Sequence, residues 1–399
     1  MKYTLYGDGI HDDAPAIQEL LDSGRSLVCL PTPEKNYLIG RTLLIHSGQE
    51  LRLDRFTLIR LAAGSNCTML ENAGQREWDS NICVSGGLWD MDHSSQWPNP
   101  YHFANPVTGL LDRELRERAG FDSTKRLYFD SYCGHCLRFN SIRGFTLRDM
   151  TIRNPVVYGA QLAFIEDFTV ENICFDYTEG SPKLWNMDGV HFEGGCRNGL
   201  IRNLKGACHD DLVALTADDD IHGPIDNIVV DGIWAEGSHS AVRLLSYKTP
   251  VTNIRISNIF GTYYVYCINI SKYHGTPEDR GIYENIVIDN VCASICPGTA
   301  DVPGNYEPLI VVKPELRISS LVLSNIYRKE SVCPTPTIGI GRDTEIGSLT
   351  VRNARQQNLT GKPFPFLSSA AEIGRMTLSE IDCGEDELLE NTGRIMSRG

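Results

Sequence analysis

The sequence lacks several features that would settle its class at once. No apolar run approaches the ~20 residues that a membrane-spanning helix needs. The opening "MKYTLYGDGIHDDAPAIQELL" has no apolar core of a secretory leader. These two absences point to a cytoplasmic protein, or a secreted one whose leader has been trimmed. Paired cysteine spacings are also missing. The 13 cysteines are odd in number and scattered, which argues against a disulfide framework and for reduced, mostly buried thiols. "CGHC" at Cys133–Cys136 invites a redox or zinc reading, but no second pair follows at a matching distance, which argues against a metal site. Basic residues are few: 37 Lys and Arg stand against 51 Asp and Glu, a net charge of −14. Such a chain repels polyanions at long range. That excludes nucleic acid as a natural partner and disfavours long polyuronates, though not short acidic oligosaccharides.

What the sequence does have is a repeat. Apolar alternation, then Asn or Asp, then another apolar residue recurs in "FTLRDMTIRN" from Phe145, "FTVENICFD" from Phe168, "GLIRNLKG" from Gly199 and "NIVVDGIWAEG" from Asn227. It continues in "NIRISNIFG" from Asn253, "NIVIDNVCAS" from Asn285, "SLVLSNIYR" from Ser320, "SLTVRNARQQN" from Ser348 and "MTLSEIDCG" from Met376. Steps run from 23 residues (Phe145 to Phe168) to 35 (Asn285 to Ser320). Each copy reads as a short strand bounded by turn residues, and a near-regular period marks a repeat architecture. Propeller blades need about 40–50 residues per repeat, so these steps are too short.

The fold expected is therefore all-β: a single-stranded right-handed parallel β-helix with an N-terminal capping helix, one domain over residues 1–399. Asparagines at matching places predict side-chain ladders, each amide bonding the next coil. Residues 1–24 supply the cap. Asp12 or Asp13 is the N-cap, Pro15 lies in the first turn, Ile17, Leu20 and Leu21 share a face, and Gly24 stops the helix. "SLVCLPTPEKNYLIG" and "TLLIHSGQELRLD" read as early strands. Residues 91–135 break the rhythm and are expected to form a loop or lid beside a groove.

Carboxylates concentrate at one place. "HDDLVALTADDDIHG" from His209 holds five aspartates in fifteen residues, and Asp188 precedes Asp211 by one coil's length. Coils stack ~4.8 Å apart, so Asp188 and the 210–211 pair are expected side by side on one outer face. Glycoside hydrolysis wants one protonated carboxyl to donate to the leaving oxygen and one carboxylate to activate water. Crowded like charges raise one pKa and keep that group protonated. The same two aspartates also suit a turn that binds backbone amides. Asp218–Asp220 read as a solvated turn before Gly223-Pro224, with Ca²⁺ the alternative. His191 and Glu193 alternate with apolar residues and either face the groove or form the outer side of a strand. Trp97, Trp185 and Tyr273 flank these elements as sugar-stacking or packing residues.

These motifs resemble the polygalacturonase family, family 28 of the glycoside hydrolases. The family's Asn-Thr-Asp-Gly, Asp-Asp, Gly-His-Gly and Arg-Ile-Lys elements are similar to "NMDG" at 186–189, "HDDLVAL" at 209–215, "GSHSAVRLLS" at 237–246 and "CINISKY" at 267–273. "SGGLWDMD" at 85–92 resembles the family's Gly-rich strand, and "GDGIHDDAPAIQ" the N-terminal cap of the wider pectate-lyase-like superfamily. The resemblance covers most of the chain to about residue 275. It implies Asp210 as general acid, Asp188 and Asp211 as the holders of the attacking water, His239 as the residue that tunes or orients the acid, and Lys272 as a substrate-binding residue. Asn186, His191 and Trp97 join Lys272 as candidate substrate contacts. Two departures stand out. Gly-His-Gly has become Ser238-His239-Ser240, and the arginine of Arg-Ile-Lys is absent, its place falling at Asn269 or Ile270. Arg243 on the preceding coil is the candidate substitute; a register matching "AVRLL" to that coil leaves no histidine coil. The expected activity is inverting, exo-acting hydrolysis of plant cell-wall, pectin-type oligosaccharides without a cofactor. The alternatives are a polysaccharide lyase or epimerase on the same scaffold, or a non-catalytic carbohydrate-binding β-helix.

Overall fold

The computed structural model describes residues 2–75, 77–96, 134–177, 186–273, 275–298 and 306–399. Most of the 91–135 insertion, with Trp97, and also Trp185 lie outside the described residues. The chain is a single-stranded right-handed parallel β-helix, and the strands of the described residues form one 28-stranded parallel sheet. Two compact units divide it: residues 1–191 with 208–210, and residues 192–207 with 211–399. No helix among the described residues is long and apolar enough to cross a membrane.

The first unit begins with the helix α1, Ala14–Leu21, which has Asp13 as its N-cap and Pro15 in its first turn. Ala14, Ala16, Ile17 and Leu21 are buried. Leu20, expected on that face, is only half-buried. The Asp13 carboxylate does not cap the helix through its side chain. It accepts backbone N–H groups of Tyr6 (2.6 Å), Gly7 (3.2 Å) and Leu38 (3.3 Å), tying the N-terminal arm to the strand Tyr37–Ile39. Further strands follow at Leu27–Leu30, Leu43–Ile45 and Glu50–Leu53, where the early alternations predicted them. On one face, successive coils align Arg60 with Asp90, Asp90 with Arg153, and Arg153 with Asp176. This column of alternating charge places Arg60 Nη2 3.0 Å from Asp90 and Arg153 Nη2 2.7 Å from Asp176.

The second unit shows most plainly why the repeat builds coils. Ile228, Ile254, Ile286, Leu321, Leu349 and Met376 fall into one column. Val230, Ile256, Ile288, Leu323 and Val351 form a neighbouring one. All are at most 1% exposed, each contributing roughly 1.5–3 kcal/mol by burial. No coil can do this alone, because its inward residues need the coil on either side. Where the strands bend, asparagine adopts the left-handed conformation: Asn253 (φ 54°), Asn258 (59°), Asn285 (54°), Asn290 (55°), Asn325 (57°) and Asn353 (49°). Asparagine tolerates this region because its short amide bonds locally. The expected ladders are present. Asn290 Nδ2 donates to Asn258 Oδ1 (2.6 Å), Asn285 to Asn253 (3.0 Å) and Asn353 to Asn325 (2.6 Å). Asn258 donates in turn to Asp231 at 2.6 Å.

The cysteines correct one expectation. None described is in a disulfide, but only five are buried, and Cys29, Cys174 and Cys292 are exposed. They occupy outward positions of strands, where alternation turns every second residue to the surface.

Candidate active site

In the first unit, the "NMDG" segment lies beside the end of the aspartate pair. His209 N–H donates to Met187 O (3.2 Å), and Asn186 N–H donates to an Asp210 carboxylate oxygen (3.2 Å). Asn186 has φ 55°, a left-handed turn that sends the chain into Met187 and Asp188. The Asp188 backbone is fixed by Tyr177 Oη (2.7 Å) and by Gly159 N–H (2.9 Å), both donating to its carbonyl. Its carboxylate lies 2.6 Å from His191 Nδ1, and both residues are almost wholly buried. Asp210, in contrast, is half-buried.

His191 was expected either in the groove or on the outer face of a strand. Instead all four residues of Val190–Glu193 are buried. The His191 ring stacks on Tyr158 at 4.2 Å, and Tyr158 stacks on His135 at 4.6 Å. This position lets His191 orient Asp188. Burial, reinforced by the charges of Arg138 and His191, pushes the His135 imidazole well below its usual range, so it enters the stack as a neutral ring. Arg138 is itself paired with Glu71 at 2.7 Å.

In the second unit, Asp211 opens the strand Asp211–Thr216 and pairs in register with Ser240, the first residue of Ser240–Leu245. The carboxylate is fully buried. Ser240 Oγ donates to Oδ1 at 2.5 Å, Tyr266 Oη donates to the same oxygen at 3.0 Å, and Arg243 Nε lies 2.7 Å from Oδ2. His239 is half-buried, with edge contacts to Tyr264 (5.3 Å) and Tyr266 (5.6 Å). Lys272 follows the strand Ile268–Ser271. Its Nζ lies 2.5 Å from Glu315 Oε2 and donates to Thr276 O at 2.6 Å. Tyr273 is 74% exposed.

Asp218 is not part of a solvated turn. It is fully buried and accepts N–H groups of Tyr247 (3.0 Å), Lys248 (2.9 Å) and Thr249 (2.7 Å), plus the Thr249 hydroxyl. Its carboxylate therefore stitches one coil to the next, and only Asp219 and Asp220 retain exposure. Glu193 is likewise buried, with Oε2 accepting Ile221 N–H at 3.2 Å.

Sequence reasoning missed Tyr158, Tyr266 and Glu315. Each is an ordinary residue whose partner lies far along the chain; Tyr266 is 55 residues from Asp211 and Glu315 is 43 from Lys272. Ser240 was visible only as a departure from glycine, and its role is the hydroxyl contact to Asp211.

No family model matches the sequence, and none of the curated proteins matches it. Solved structures do resemble it. The family 28 exopolygalacturonase of Yersinia enterocolitica is similar at 15% identity with a TM-score of 0.65, over 100% of this chain and 76% of that one. A double mutant of the tailspike protein of E. coli bacteriophage HK620, in complex with a pentasaccharide, is similar at 11% identity and TM-score 0.63, over 97% and 75%. The mannuronan C-5 epimerase A-module of Azotobacter vinelandii is similar at 11% identity and TM-score 0.55, over 100% and 98%. These likenesses show that the chain shares the right-handed parallel β-helix fold with these proteins.

Proposed function

We propose that this protein is a glycoside hydrolase that cleaves pectin-type oligosaccharides with inversion, acting from one end of the chain. The observation that carries this reading is the first-unit pair of carboxylates with contrasting surroundings. Asp188 is buried and held by His191, while Asp210 is half-buried, with a carboxylate oxygen accepting Asn186 N–H. Two carboxyls in different environments are what acid and base roles require.

Asp210 gives its proton to the glycosidic oxygen as the C1–O bond breaks. A water attacks C1 from the opposite face, and its proton passes to Asp188. The fold shared with an exopolygalacturonase supports this reading. The test is a screen of defined oligosaccharides with the product anomer read by NMR. Release of single sugars from one end with inverted configuration is expected. Retained configuration, or rapid mid-chain cleavage of polymer, counts against it.

The epimerase likeness supports a second reading, proton abstraction beside a sugar carboxylate by a lyase or epimerase. Ultraviolet absorbance from a new double bond, or exchange of the C5 proton with solvent, would replace hydrolysis in that case.

A further inference from the structure

The last coils of the second unit hold a cavity that the hydrolase reading does not use. We propose that it is a second carbohydrate-binding site, which holds the end of a neutral sugar chain without cleaving it.

The cavity has a volume of about 650 Å³, within the ~300–1,000 Å³ span of clefts that take small ligands. It opens where the strands Glu345–Asn358 and Glu372–Asp382 run out into their turns. Arg355, Gln357, Lys362, Asp382 and Glu385 are among its lining residues, and none of the candidate catalytic residues is. Arg355 and Asp382 align in register, with Arg355 Nε 3.5 Å from Asp382 Oδ2. Gln357 follows Arg355 by two residues on the same strand, so both point outward, and both are exposed.

The walls are fixed before any ligand arrives. Asp386 accepts Gln356 Nε2 at 2.8 Å and Asn358 Nδ2 at 2.9 Å. Asn358 Oδ1 accepts the N–H and the hydroxyl of Thr360, both at 2.9 Å. These bonds hold the two turns together, and a preformed cleft spares a ligand the entropy of ordering it.

One side of the cavity continues onto aromatic residues. Arg355 aligns with Tyr327 on the coil before, Tyr327 with Cys292, Cys292 with Phe260, and Phe260 with Trp234. Trp234 is 41% exposed and Tyr327 37%. Successive coils lie ~4.8 Å apart, so Tyr327 borders Arg355 at the edge of the cavity.

This combination selects the class of ligand. A sugar ring has an apolar C–H face and a rim of hydroxyls that both donate and accept. Tyr327 offers the face a flat apolar surface. Arg355 and Lys362 donate, Asp382 and Glu385 accept, and Gln357 does both. An apolar ligand would strip water from these groups and replace none of its hydrogen bonds. A metal ion would compete with the amides that already occupy Asp386 and with Arg355 beside Asp382. A polyanion would meet the carboxylates of Asp382, Glu385 and Asp386. A neutral oligosaccharide meets none of these objections.

The test uses the full chain carrying Asp210→Asn, so that the probes survive. It is titrated by calorimetry with two neutral tetrasaccharides, α-1,4-galactotetraose and cellotetraose, and again with Tyr327→Ala or Arg355→Ala added. At least one probe is expected to bind. Tyr327→Ala is expected to weaken that binding ~3- to 10-fold, and Arg355→Ala by about 10-fold. Both side chains are exposed, so urea unfolding of the variants should match the parent. Binding of neither probe, or binding indifferent to both substitutions, overturns the inference. The readout needs no turnover, so its failure leaves the hydrolase reading untouched, and an inactive enzyme leaves this site standing.

Discussion

His191 Nδ1 lies 2.6 Å from the Asp188 carboxylate, and the two residues are buried together. A buried carboxylate without a charged or hydrogen-bonding partner is costly. The imidazole meets that need and fixes which way the carboxylate points. Tyr158, stacked on the ring at 4.2 Å, fixes the imidazole in turn. His191→Phe keeps a ring on Tyr158 and removes the hydrogen bond. It is expected to lower kcat by about 10²-fold with a smaller change in KM, and to cost about 1–3 kcal/mol of stability. Steady-state kinetics and urea unfolding check both.

Asp210→Asn removes a donatable proton without changing shape. The expected result is a fall in kcat of ~10²–10⁴-fold with oligosaccharide affinity retained by calorimetry. A carbohydrate-binding protein with no catalytic role would show the second result without any initial activity to lose.

Acid should loosen the second unit through Asp218. Burial alone would raise this carboxyl, but the Thr249 hydroxyl and the N–H groups of residues 247–249 outweigh it and hold the group below its usual range. A group with a depressed folded pKa stabilises the fold above its unfolded value. That contribution is lost as pH falls through the folded value. Asp218→Asn should therefore unfold at lower urea than the wild type at about pH 6, and the gap should shrink toward about pH 3. A gap that grows on acidification would contradict the assignment.

The asparagine corners make a stability prediction independent of function. Asn258 has φ 59°, donates to Asp231 and accepts from Asn290. Asn258→Ala loses both bonds and pays for the left-handed backbone, an expected cost of about 1–3 kcal/mol. Asn258→Gly loses only the bonds and should fall between the alanine variant and the wild type in urea unfolding.

The coils were legible because two local signals coincide in every repeat: apolar alternation at period two and an asparagine at the bend. Both act through nearest neighbours, so sequence order carries them. The Asp188 and Asp210 segments were legible for the same reason, being one coil apart. The surroundings of Asp211 were not. Ser240, Arg243 and Tyr266 come from two later coils, and nothing local distinguishes a serine or tyrosine that will meet a carboxylate. Asp218 misled in the opposite way, since three consecutive aspartates look solvated until one is seen turned inward onto Thr249.

The bends also bear on how such a chain can change over time. Asn253 and Asn258, then Asn285 and Asn290, stand five residues apart in successive coils. Losing or gaining one residue between two bends would turn every later side chain of that edge to the wrong face. That edge works as a ruler of constant length, so variation in repeat length must be absorbed elsewhere around the coil. Novel specificities can then arise by lengthening or trimming loops while the ruler keeps the scaffold in step.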